Sequence, residues 1–275
     1  MFKKILSTIA FTAIIFSIAN ADKFNETVSI NIQDVDTKNK TLTFPAYDLL
    51  IGETGFIITK LTDYRVISAK LEIESIKDGV AKAKFSDFDA MKQKYLPTPR
   101  VEPKKGDMVF FRELNNRAFL IAPDLNTYEK IKSTLKKEVS VMSSDLLMAY
   151  LNDYGGFDPN PKFLKKACNL YSVGLLYIVG TNSLNVLDCQ SLARLQTNYF
   201  DTSGVTQSIA PFFSRFQEIK TGSLSSLFYS KKSKNYFEFY DNLIKNGFDM
   251  QKGKKPKKSK ESPKSKNLKD PKSKL

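Results

Sequence analysis

Residues 71–85 read LEIESIKDGVAKAKF, and this stretch decides how the first half of the chain folds. Leu71, Ile73 and Ile76 lead into Asp78-Gly79, after which Val80, Ala81, Ala83 and Phe85 continue the apolar set. Alternation with a period of two puts one face of a strand in a core and the other in water. Asp-Gly supplies the positive φ that a two-residue hairpin turn needs, so the stretch predicts a β-hairpin. Outward toward the N-terminus, Val28, Ile30 and Ile32 alternate with Thr27, Ser29 and Asn31 in the same way. Toward the C-terminus, Gly106-Asp107 introduces Met108 to Phe111, and Asn115-Asn116 separates that run from Ala118 to Ile121, which reads as a second hairpin. Between the hairpins, Phe88 to Tyr95 predicts a short helix that stops before Leu96-Pro97-Thr98-Pro99. Residues 22–123 are therefore expected to form a β-rich domain, a small barrel or sandwich.

From Asp124 the period changes. Leu125, Tyr128, Ile131 and Leu135 recur at helical spacing, and Ser143-Ser144-Asp145 offers a cap for a helix through Leu146, Leu147, Tyr150 and Leu151. Asn152 to Pro161 is a turn-rich break containing Gly155-Gly156, and Lys162 to Lys166 starts another short helix. Leu175 to Val179 and Asn185 to Leu187 read as paired strands, and Asn235 to Lys245 as an aromatic amphipathic helix whose apolar face is core. Residues 124–250 are expected to be a mixed α/β domain, and the whole chain falls in the α+β class.

The two ends differ from this body. Met1-Phe2-Lys3-Lys4, an apolar stretch from Ile5 to Ile18, and Ala19-Asn20-Ala21 read as a signal peptide over 1–21, with Ala19 and Ala21 as the small residues of the cleavage site. That apolar stretch is shorter than the roughly 20 residues a membrane helix needs. Residues 251–275 read QKGKKPKKSKESPKSKNLKDPKSKL, with no aromatic residue. Such a segment cannot bury enough apolar surface to offset its ordering entropy, so a disordered lysine-rich tail is expected. The tail holds about +9 of the +14 net charge and the signal segment two lysines, which leaves about +3 for the body. Export implies an oxidising compartment, where Cys168 and Cys189 most simply pair as a structural disulfide. Two buried free thiols or a redox pair are the alternatives, although the spacing is not that of Cys-x-x-Cys.

The 275 residues contain no histidine, which removes Ser/His/Asp and Cys/His catalysis, His-ligated zinc and c-type haem. Gly52-Glu53-Thr54-Gly55-Phe56 lacks the lysine of a phosphate loop and reads as a turn. Asp201-Thr202-Ser203-Gly204 is a loop without a base, and pairs such as Asp87/Asp89 are too common to signal a glycosidase. No catalytic residue, metal site or cofactor is expected, and the chain reads as non-enzymatic. The tail is the feature with definable partner chemistry. A receptor joining an acidic cluster to an aromatic trough holds an ε-ammonium by charge-assisted hydrogen bonds and cation–π contact, and a cation nearby holds a carboxylate. Lys260-Glu261 and Lys269-Asp270 present both charges side by side, and Lys272 and Lys274 follow. Repetition on a flexible arm raises avidity.

Several segments in one order resemble the N-terminal domain of the bacterial plasminogen-binding protein PgbA family. They include Phe44 to Leu49 (FPAYDL), Gly52 to Phe56, Thr59 to Tyr64 (TKLTDY), Met91 to Arg100 (MKQKYLPTPR), Lys105 to Asp107, Ala118 to Pro123 (AFLIAP) and Ser143 to Leu147. Lys166 to Asn169 (KACN), Asp201 to Thr206 (DTSGVT), Pro211 to Arg215 (PFFSR) and Ser233 to Phe237 (SKNYF) continue the series. The resemblance implies an exported protein of the cell surface, outer membrane or periplasm that binds host plasminogen through lysine recognition by kringle domains. The family's charged C-terminal region can be longer and end in lysine, whereas this tail ends in Leu275, so Lys274 becomes terminal only after trimming. The competing reading is an envelope-associated adapter whose arm binds anionic lipopolysaccharide or other acidic envelope polymers. Export speaks against a nucleic-acid partner despite the charge.

Overall fold

The computed structural model describes residues 23–88, 101–135, 139–154, 158–216 and 232–246. The signal segment 1–21, all but the first residue of the helix expected over 88–95, the Gly155-Gly156 break and the tail 251–275 lie outside them.

Strands β1 (Val28–Asn31), β2 (Asp34–Asp36), β3 (Thr41–Pro45), β4 (Thr54–Lys60), β5 (Arg65–Lys77), β6 (Val80–Ser86) and β7 (Met108–Phe111) make one antiparallel sheet in the order β1-β7-β4-β5-β6-β3-β2. Its two edges, β1 and β2, are successive pieces of a single segment. Ile32 N–H donates to the Asp107 carbonyl on one side and Gln33 N–H to the Thr43 carbonyl on the other, so the sheet curls into a small barrel. The hairpin at Asp78-Gly79 is present, with φ of 51° and 75° at its two central residues. Ala81, Ala83 and Phe85 face the barrel interior with Leu71, Ile73, Phe44, Ile57 and Phe111, while Lys82, Lys84 and Ser86 point outward. A register shift between Ile73 and Ser75 makes Glu74 a bulge in β5, the device that lets a long strand bend around a barrel.

The second expected hairpin does not form. β7 pairs with β1 and β4, whereas β8 (Arg117–Ile121) lies parallel to β10 (Leu175–Gly180) and β9 (Ser140–Val141) in a second sheet. Arg112, with φ of 66°, turns the chain out of the first sheet, and β8 enters the second at Arg117. The second sheet runs β12-β11-β10-β8-β9, with β11 (Ser183–Asp188) and β12 (Arg194–Tyr199) antiparallel to their neighbours. Helix α1 (Leu125–Leu135) crosses from β8 to β9. Helices α2 (Ser144–Tyr154) and α3 (Pro161–Tyr171) lead from β9 to β10 on the far side of β8. Right-handed crossovers running in opposite directions place their helices on opposite faces. Tyr128, Ile131 and Leu135 of α1 accordingly pack on Leu120, Tyr177 and Val179. Leu147, Leu151, Phe163 and Leu164 pack on Phe119, Ile121 and Ile178 of the other face.

Helix α4 (Tyr236–Lys245), capped by Asn235, joins that second face. Tyr236 and Tyr240 are fully buried, and their hydroxyls donate to the carbonyls of Ile121, Val179 and Pro211, so this aromatic face is core as expected. Cys168 in α3 is bonded to Cys189 just after β11, which ties the helix to the end of the β10–β11 hairpin. Among the described residues, no helix is long and apolar enough to cross a membrane.

The two sheets meet at a buried carboxylate. Asp188, at the end of β11, accepts the N–H of Gln190 and of Ser191 from its own loop, each at 2.9 Å. From the first sheet, Thr54 gives it a backbone N–H at 2.9 Å and a hydroxyl at 2.8 Å. Ser191 returns the link by donating its hydroxyl to the Gly52 carbonyl at 2.7 Å. Gly52 has φ of 86° and lies against Ala193, so a side chain there would be strained by its backbone and overlap Ala193 Cβ.

Two outcomes follow from these links. Asp188→Ala strands the Thr54, Gln190 and Ser191 donors and should cost about 3 kcal/mol or more. Urea denaturation checks it, and an unchanged midpoint would contradict the assignment. The disulfide joins cysteines 21 positions apart in the sequence. Replacing both cysteines by serine should therefore cost about 3 kcal/mol in the chain-entropy account, read as a lowered melting temperature that added reductant does not lower further.

Candidate functional site

A cleft of about 570 Å³ opens beside this junction, between the outer surface of the barrel and helix α3. Strand alternation builds its first wall. In β7, Val109 and Phe111 point into the barrel, so Phe110 must point out; in β4, Ile57 points in and Phe56 out. Phe56 and Phe110 are register partners across β4 and β7, and their rings stack with centroids 6.1 Å apart and planes within 17°. Phe88 meets Phe56 edge-on at 6.3 Å. Two outward aromatic rings would be costly in water, and here they are half-buried, packed on each other and with Phe88 against Phe56.

The rest of the barrel wall is charged. Lys70 lies opposite Phe56 and Glu72 opposite Lys84, with Glu74 at the bulge. Helix α3 gives the facing wall through Lys162, Lys165, Lys166 and Asn169, a spacing of three and four that keeps them on one side of the helix. The opposite side, Phe163, Leu164, Ala167 and Cys168, is buried in the core, which fixes the rotation of the helix. Asn160 caps the helix by accepting the Phe163 N–H at 2.9 Å, and Pro161 fills its first turn.

Arg112 and Asn115 hold the base of the cleft. The Arg112 guanidinium donates to both Glu53 oxygens at 3.1 and 3.2 Å, to Asp48 at 3.0 Å and to the Lys23 carbonyl at 2.9 Å. Asn115 donates to the Phe24 carbonyl at 2.7 Å, so the Lys23-Phe24 segment is clasped here, with Phe24 buried in the core. Gly174 passes so close to Leu114 and Asn115 that a Cβ there would overlap both. Burial pushes the Glu53 carboxyl above its ordinary value despite its bonds to Arg112. Burial works against the Arg112 cation too, but Glu53 and Asp48 outweigh it and hold the guanidinium charged. Asp48, half-exposed, is held below the usual carboxylate range because Arg112 outweighs its partial burial.

None of the candidate site residues singled out in the sequence is among the described residues that line the cleft. Lys260, Glu261, Lys269, Asp270, Lys272 and Lys274 of the tail, and Ala19 and Ala21 of the cleavage site, fall outside the described residues. Cys168 and Cys189 are brought together. Sequence reasoning missed Arg112, Glu53 and Asp188, each of which also binds a partner far along the chain. It also missed the cleft, although an aromatic at an outward position of MVFF and a helix whose charged residues are all lysine were the available signals.

Comparison with known proteins matches residues 27–244 to the family described as plasminogen-binding protein pgbA N-terminal. Two relatives, both named plasminogen-binding protein PgbA, come from Helicobacter pylori. The one from strain J99 is 50% identical over 222 residues, which is 81% of this chain and 48% of the relative. The one from strain 26695 is 49% identical over the same coverage. The chain thus spans about half the length of the curated relatives it matches. No solved structure matches it. The match spans the barrel, the cleft, the second sheet and nearly all of helix α4, and on that extent the chain belongs to the family of the PgbA N-terminal region.

Proposed function

We propose that this protein is exported and binds plasminogen, and that lysines of its C-terminal arm are what the kringle domains recognise. The observation that carries the reading is family membership across the folded body, with two relatives at about half identity that are named for plasminogen binding. The arm supports the mechanism. It lies beyond the matched residues 27–244, and its 25 residues place lysine beside acid at Lys260-Glu261 and Lys269-Asp270. An extended cation of this kind offers ε-ammonium groups with little steric hindrance, and repetition adds avidity without any tight single contact. The N-terminal Lys3-Lys4, apolar stretch and Ala-x-Ala support export to the cell surface, outer membrane or periplasm.

A second reading rests on the concentration of charge, about +9 in the arm against about +3 in the body. In that reading the arm contacts anionic lipopolysaccharide or another acidic envelope polymer. Such a contact responds to ionic strength, whereas a kringle pocket responds to a free lysine analogue at constant ionic strength.

The test is binding of residues 22–275, beside residues 22–250, to immobilised plasminogen, with and without excess 6-aminohexanoate at fixed salt. Removal of the arm should weaken binding by more than about tenfold, and the analogue should do the same to the longer protein. Carboxypeptidase removal of Leu275, which makes Lys274 terminal, should strengthen binding. Binding that survives both arm deletion and analogue places the contact on the folded body. No binding at all favours the envelope reading.

A further inference from the structure

The cleft between the barrel and α3 has no part in an interaction carried by the arm, yet its walls are chemically unlike each other in a way that defines a ligand. Its volume, about 570 Å³, falls in the range of small-molecule sites, roughly 300–1,000 Å³. Phe56 and Phe110, near-parallel at 17°, put two stacked apolar rings on the barrel wall. On the barrel side the charges alternate in sign, with Glu72 directly across from Lys84, and largely cancel. On the α3 side they do not, because the only charged residues between Pro161 and Tyr171 are lysines. Among the described residues Lys166 sits over the Tyr154 ring at 5.1 Å, and neither Lys162 nor Lys165 is paired with a carboxylate.

We infer that the cleft is a binding site for a small aromatic monoanion, whose planar body lies against Phe56 and Phe110 while its single negative group is held by Lys162 and Lys165. The sign follows from α3, the single-signed wall among the described residues. The limit to one charge follows from the barrel wall, where Glu72, Glu74 and Glu113 offset Lys70 and Lys84 and so offer no net attraction to a second anionic group. A polyanion is disfavoured on the same ground, which separates this site from any contact of the arm with acidic polymers. The planarity follows from the stacked rings, since an aromatic ligand continues an offset stack. Asn169, two turns along α3 from Lys162, adds a neutral amide to the same wall.

The experiment uses the chain from residue 22 to 275 and the fluorescent aromatic sulfonate 1-anilinonaphthalene-8-sulfonate as probe, with 2-naphthoate, neutral 2-naphthalenemethanol and inorganic phosphate as competitors. The expected result is saturable binding of one probe per chain, displaced by 2-naphthoate at concentrations at least tenfold below those needed of the neutral alcohol or of phosphate. Lys162→Glu with Lys165→Glu should weaken probe binding more than tenfold. The matching pair of arginine substitutions should retain it, and both variants should melt as the parent does because these side chains lie outside the core. Phe110→Ala should weaken binding while leaving the preference for the anion over the alcohol. Failure of saturable binding overturns the site. Equal affinity in the charge-reversed variant, or displacement by phosphate or the alcohol as readily as by 2-naphthoate, overturns it as well. None of these readouts involves plasminogen, so the site stands or falls apart from the proposed function.

Discussion

A carboxylate taken out of water must find donors, and Asp188 finds them on both sheets of this protein. Gln190 and Ser191 supply two from its own loop, and Thr54 supplies two from the first strand of the cleft wall, 134 residues away in sequence. Burial pushes the Asp188 carboxyl up against those bonds, so losing any of them leaves a polar group stranded in the interior. That penalty fixes the start of β4 relative to the end of β11 more sharply than apolar packing alone would, because apolar contacts tolerate sliding and hydrogen bonds do not. Arg112 repeats the device a short distance away, joining Glu53 and Asp48 to the carbonyl of Lys23. With both clamps in place, β4, β7 and α3 hold the separation that leaves a cleft between them.

How much of this could be read beforehand depended on whether the forces were local. The Asp78-Gly79 hairpin was legible because turn chemistry and alternation agree within fifteen residues. The cap at Ser143 was equally local, and its hydroxyl does accept the Asp145 N–H at 3.2 Å. The false hairpin at 108–121 has a physical reason. A short polar loop between two apolar runs looks the same whether the second run returns to its neighbour or leaves for another sheet. Both runs are apolar throughout, and the difference shows only in the fold: in Met108–Phe111 only alternate residues are fully buried, while Ala118 to Ile121 are buried throughout, as a strand covered by helices on both faces must be.

The functional features divide the same way. The arm stands out by composition, with eleven lysines and no aromatic residue, and it lies outside the described residues. The cleft does not stand out in the sequence, because it exists only where the outward face of a barrel meets a helix from another sheet. Phe110 and Lys165 are unremarkable until Asp188 and Arg112 bring their elements together. The family match covers this folded body, so the body is where membership is written, and the arm is the added cationic element through which it is proposed to reach plasminogen.

The account therefore rests on the two sheets behaving as one unit locked at Asp188. Native-state hydrogen exchange of the Thr54 amide, followed against the core amides of β6 and β10, tests this most directly. Exchange of Thr54 with the same protection as those core amides, through global unfolding alone, is the predicted result. Exchange of Thr54 through a smaller opening, with the two sheets unfolding in separate steps, would contradict it.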